Sequence, residues 1–126
     1  MSWTLQCGQG TWQIDDRRAL EQELSRLHLE LKHDPAVAHL IAPDGACLNI
    51  ALGSDLSVLN FIAPGGWPAQ HSVGDDSAEE LVRFKVASDI SEFPGRCAIP
   101  IAVAIDAALV YYSTGKLTDK VHWEKD

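Results

Sequence analysis

The sequence predicts an α/β fold of the segregated, α+β type: a mainly antiparallel sheet with two principal helices packed on one face. Three observations lead there. Leu20, Leu24, Leu27 and Leu31 recur at helical spacing, as do Ile101, Ile105, Ala108, Leu109 and Tyr112. Between those stretches, residues 48–52, 58–62 and 81–86 alternate with the period of a strand. The connections between these strands are too short for parallel crossovers, which favours antiparallel neighbours.

In chain order, Trp3, Leu5 and Cys7 alternate with Thr4 and Gln6 and predict a first strand, ended by Gly8-Gln9-Gly10. Trp12 reads as a plug at the start of the first helix. Asp15 or Asp16 caps that helix, which stops near Lys32-His33-Asp34-Pro35 because the residue before proline resists the helical conformation. Residues 37–41 form a strand, and Pro43-Asp44-Gly45 turns the chain. Leu48, Ile50 and Leu52 then face one way and Cys47, Asn49 and Ala51 the other. After Gly53-Ser54-Asp55, Leu59 and Phe61 oppose Val58, Asn60 and Ile62.

Pro64-Gly65-Gly66-Trp67-Pro68 breaks the pattern, and no regular period returns before Leu81, so the interval reads as a loop. Val82, Phe84 and Val86 point inward while Arg83 and Lys85 meet water. Residues 89–96 read as a second loop leading into the core helix, which Pro100 opens from within its first turn. Gly115 is placed to take a left-handed C-cap. Val121-His122-Trp123-Glu124 is a last strand, with Val121 and Trp123 on one side and its neighbour in the sheet left open. Gly115 and Trp123 are therefore assigned to structure.

Length and composition bound the function. The 126 residues fit one domain, 1–126, large enough for a sizeable core. Met1 to Thr11 lack the basic cluster and apolar run of a signal peptide, and the apolar run at 99–112 is too short to span a membrane. Three widely spaced cysteines, Cys7, Cys47 and Cys97, favour reduced thiols and a cytoplasmic location. The net charge is −8, and from His33 to Val82 seven acidic residues occur with no Lys or Arg. Such a field repels nucleic-acid phosphates and attracts a basic protein.

No motif assigns catalytic residues, a cofactor or a metal. The glycine clusters lack the Gly-Lys-Ser/Thr ending of a phosphate loop, and the histidines lack metal-ligand spacing. His71 with Asp75 or Asp76 could serve a small hydrolase, but no nucleophile on a strained turn accompanies it. Trp67 and His71 lie close in sequence to Asp75, Asp76, Glu79 and Glu80. An aromatic ring beside clustered carboxylates suits an interface aimed at Arg or Lys, so these six residues form the candidate partner-binding set. The competing reading is a solvated loop with Trp67 packed down on the sheet.

The ending Phe93-Pro94, Ile99-Pro100, an Ala-rich aromatic helix, Thr114-Gly115-Lys116-Leu117 and Val121-His122-Trp123-Glu124 resembles immunity protein family one of bacterial polymorphic toxin systems. The middle is similar too, with Leu48-Asn49-Ile50, Gly53 and Ser72-Val73-Gly74-Asp75 in order. The resemblance runs from about Leu20 onward, with Gly115 and Trp123 in the C-terminal motif. The motif departs after the helix, where Lys116-Leu117-Thr118 stands in place of a frequent proline. The resemblance implies a cytoplasmic protein, not an enzyme, that binds and occludes a cognate toxin domain, often a nuclease or deaminase. An acidic adaptor or chaperone-like binding module is the alternative that the charge pattern also accommodates.

Overall fold

The structure is a computed structural model that describes residues 2–8, 10–75, 77–86 and 89–126. The elements run β1 (Trp3–Cys7), β2 (Gly10–Ile14), α1 (Arg17–Glu30), β3 (Ala36–Ile41), β4 (Cys47–Leu52), β5 (Leu56–Ser57), β6 (Leu59–Ile62), β7 (Ala69–Val73), β8 (Leu81–Val86), β9 (Asp89–Pro94), β10 (Ile99–Pro100), α2 (Ile101–Thr114) and β11 (His122–Lys125). Among the described residues, nine strands join one sheet in the order β11-β7-β6-β4-β3-β1-β2, with β8 and β9 attached through β3. All pairings are antiparallel except that of β8 with β3, where Ala36 faces Lys85. The α+β architecture expected from the sequence is present, with a sheet larger than the alternation indicated.

The helices form where the sequence places them. The Asp16 side chain accepts the Ala19 N–H at 2.7 Å, which satisfies one of the orphan donors of α1. Leu20, Leu24 and Leu27 are buried, while Leu29, off their stripe, is 73% exposed. Pro100 is the residue just before α2 rather than part of its first turn, because Ile99 and Pro100 are extended and pair with β5. Gly115 takes φ 74° and donates its N–H to the Tyr111 carbonyl at 2.8 Å, the left-handed cap that the sequence predicts. The buried side of α2 comprises Ala104, Ala107, Ala108, Leu109 and Tyr111, so small residues let the helix approach the sheet closely.

Both helices bury their apolar sides in one core with Leu5, Leu40, Leu48, Ile50, Leu52 and Leu59, all on the same sheet face. Trp3 packs edge-on against both Tyr111 and Tyr112, with centroids 5.0 and 5.1 Å away. The opposite face carries a second, smaller core of Val37, Ala51, Val58, Phe84 and Cys97, capped by the β8–β9 hairpin.

Three segments differ from the sequence expectation. Gly10–Ile14 is a strand paired with β1, and Trp12 lies on it instead of plugging the helix. Its ring covers Gly10 and lies 5.1 Å beneath the Arg26 guanidinium. Ala69–Val73 is an interior strand, β7, paired on both sides, and Asp89–Pro94 pairs along β8. The last strand, β11, pairs with β7, Trp123 opposite Ser72. The Trp123 ring is half-buried against the main core, and its Nε1–H donates to the Thr118 carbonyl at 2.9 Å.

Candidate functional site

The register of the sheet brings together residues that lie far apart in sequence. His39 faces Asn49, Asn49 faces Asn60, Asn60 faces His71, and His71 faces Glu124. Side chains directly opposite one another in a sheet share a face, so these residues form one polar row across β3, β4, β6, β7 and β11. The row lies on the face opposite the helices. Its next row, toward the β3–β4 and β6–β7 turns, is Ile41, Cys47, Ile62 and Ala69, all half-buried. The β8–β9 hairpin covers the other side of the polar row and leaves these two rows open.

Hydrogen bonds connect the row. His39 Nδ1 lies 2.6 Å from Asn49 Oδ1, which also accepts the Cys47 thiol at 3.0 Å. Asn49 Nδ2 donates to Asn60 Oδ1 at 3.2 Å, and Asn60 Nδ2 donates to the Gln70 carbonyl at 3.0 Å and to Asp126 Oδ2 at 3.3 Å. His71 Nδ1 is held by Asp126 Oδ1. Its Nε2 is buried, without a hydrogen bond, 3.8 Å from Glu124 Oε1. Glu124 accepts both terminal nitrogens of Arg96, at 2.8 and 3.2 Å. That pair holds the Glu124 carboxyl below its usual range, with smaller contributions from His71 and His122. Burial pushes the Cys47 thiol up to about 11.

Two adjoining hollows follow the row at the foot of the hairpin, of about 360 and 210 Å³, sharing Val58, Asn60 and Phe93. One ends at His71, Arg96 and Asp126, the other at His39 and Asn49.

The residues nominated from sequence divide between two places. His71 belongs to the polar row, and Trp67 lies in the β6–β7 turn, 68% exposed. That exposure overturns the reading in which the indole packs down on the sheet. Asp75, Glu79 and Glu80 are exposed at the opposite end of β7, which spans roughly 13 Å at about 3.3 Å per residue. Asp76 lies outside the described residues. Asp75 accepts the Ser77 hydroxyl at 2.6 Å and the Ser77 N–H at 3.0 Å, which together depress its carboxyl below the usual range. It does not meet His71, whose carboxylate partner is Asp126.

Sequence reasoning did not single out His39, Asn49, Asn60, Arg96, Glu124 or Asp126. The available signal was Asn at outward positions of two alternating strands, but only the register shows that they align. Among the described residues, no group of three or more His, Cys, Asp or Glu side chains could hold a metal ion. Among the described residues, no helix is long and apolar enough to cross a membrane.

Comparison with known proteins adds one finding. No curated protein matches the chain. The family model described as "Immunity protein Imm1" matches residues 11–125, from β2 through β11. A match over nearly the whole chain, on a fold that carries the expected helices and sheet, fixes the membership: this chain belongs to the Imm1 immunity protein family, and its general role is that of an immunity protein.

Proposed function

We propose that this immunity protein acts in the cytoplasm by binding a cognate toxin domain and occluding its working surface, with no chemistry of its own. The reading takes residues 1–126 as one domain. The toxin is a basic protein that processes nucleic acid, a nuclease or a deaminase. The observation that carries the reading is the charge pattern: a net charge of −8, with no Lys or Arg between His33 and Val82. Asp44, Asp55, Asp75, Glu79 and Glu80 are all exposed there. An enzyme that grips phosphate backbones needs a positive cleft, and an acidic protein is steered to it and covers its mouth.

Within this reading the acidic β7–β8 connection steers the encounter, and Trp67 supplies apolar contact area at the other end of β7. Changing both Asp75 and Asp76 to Lys removes four units of negative charge relative to the wild type. Association should slow and its salt dependence should weaken, with smaller effects on dissociation if these carboxylates remain solvated. Trp67→Ala should mainly speed dissociation. Binding kinetics at two salt concentrations, on variants checked for folding, test both statements. Folded variants with wild-type rates at low salt would remove these residues from the interface.

A further inference from the structure

We propose that the open half of the sheet face, along the polar row from His39 to Asp126, is the seat of an extended, basic segment of the toxin. The inference rests on the toxin-binding reading and names the surface and the shape of what it takes.

Half of this face is covered by the β8–β9 hairpin, and the other half has no covering element among the described residues. Yet that open half is not dressed as an ordinary solvated face. Ile41, Cys47 and Ile62 form an apolar row, and the residues beside them are amides and imidazoles rather than Lys or Glu. The asparagines are fixed by bonds to their neighbours, so their orientation is set before a partner arrives. Outside these bonds Asn49 keeps one amide N–H and Asn60 Oδ1 one lone pair, a donor and an acceptor for the C=O and N–H groups of an extended backbone. Preorganised groups cost little entropy on binding.

Dimensions and charge agree. Strands lie about 4.8 Å apart, so the row from β3 to β11 is roughly 19 Å long, the span of about six extended residues at about 3.3 Å each. At its β11 end stand two carboxylates, Asp126 and Glu124, with Arg96 engaged by Glu124. Asp126, whose two carboxylate oxygens are engaged by His71 and Asn60, still keeps 40% of its side chain exposed beside the Phe93 side of the hollow. A carboxylate next to an aromatic ring suits an Arg or Lys side chain. The same carboxylates disfavour a nucleic-acid strand. Trp67 is exposed in the turn between Ile62 and Ala69, where the apolar row passes from β6 to β7.

The test uses a toxin domain taken as the cognate partner of this chain. Ala69→Arg fills the apolar row with a cation, and Asp126→Lys reverses the charge at its end. Each should weaken binding tenfold or more, chiefly through faster dissociation, in protein whose circular dichroism shows that it remains folded. Independently of any variant, the side-chain amide resonances of Asn49 and Asn60 should shift when unlabelled toxin is added to the labelled protein. Wild-type affinity in both variants with unmoved amide resonances would overturn the inference. If Asp75→Lys combined with Asp76→Lys weakens binding in that case, neutralisation stands and the interface lies on the acidic loop. Failure of the wild-type protein to bind the toxin would overturn both readings.

Discussion

Gly115 and Gly53 show how single positions set the ends of elements. Gly115 sits at φ 74° with open space where a Cβ would stand, so its requirement is purely conformational. Gly115→Val should therefore cost about 1–2 kcal/mol in chemical denaturation, while Gly115→Asn should cost less, since Asn tolerates the left-handed region. Gly53 has φ 102° and also lies against the carbonyl of Leu31, where a Cβ would overlap the oxygen. Its N–H donates to His28 Nδ1 at 2.9 Å, tying the turn to α1. Gly53→Ala combines both penalties and should destabilise more than Gly115→Val does. The same denaturation series ranks the two.

Titration gives two further expectations at this scale. Glu124 is held below its ordinary value in the folded chain, so its contribution to stability is present at neutral pH. That contribution is lost as pH falls through the folded value. Glu124→Gln should accordingly reduce stability near pH 7 and flatten the acid limb of a stability–pH curve below about pH 4.5. Cys47, pushed up to about 11 by burial, presents little thiolate at pH 8. It should react with iodoacetamide roughly tenfold or more slowly than an unstructured cysteine, followed by mass spectrometry.

Among the elements, the legible ones were those whose burial alternates or repeats. α1, β4 and β8 each put large apolar side chains on one side, and the sequence displays that directly. β7 does not, although it is paired on both sides. Its core-facing position opposite Trp123 is Ser72, buried at 0% exposure, and its other face carries His71. Ser72 is stable there because its hydroxyl accepts the Leu59 N–H at 3.0 Å and donates to the Cys97 carbonyl at 2.7 Å. Polar satisfaction replaced hydrophobic burial, and hydropathy could not register it. β9 escaped for another reason: it pairs only with β8 and four of its six residues are exposed, so burial imposes little pattern on it. β11 was legible as a strand but not by neighbour, since pairing partners across the chain leave no local mark. Its Trp123 is only half-buried, so Trp123→Ala should cost about 2–3 kcal/mol, below the full range for a buried Trp. Trp123→Phe, which loses chiefly the bond to Thr118, should cost about 1 kcal/mol.

At the scale of the whole molecule, the sequence made the acidic balance and the missing cations visible, because charge needs no register. The open face could not be seen the same way. Asn49 and Asn60 are eleven positions apart and His71 eleven further, and only strand pairing places them in one row. Trp67 and the carboxylates looked like one patch because they are close in sequence, yet β7 runs between them and sets them at opposite ends of the sheet. The molecule thus carries exposed carboxylates beyond one end of β7 and an exposed indole beyond the other. That arrangement fits a partner of some size better than a small ligand.

Occlusion has a distinctive signature in stoichiometry. The direct measurement is titration of the toxin's activity with purified protein, at toxin concentrations well above the dissociation constant. Activity should fall linearly, reach its floor at one molecule of this protein per toxin, and show no dependence on the time of preincubation beyond the association step. The recovered toxin should regain full activity once separated. Progressive inactivation by a small fraction of one equivalent, or toxin that stays inactive after separation, would show a chemical action on the toxin and contradict the account.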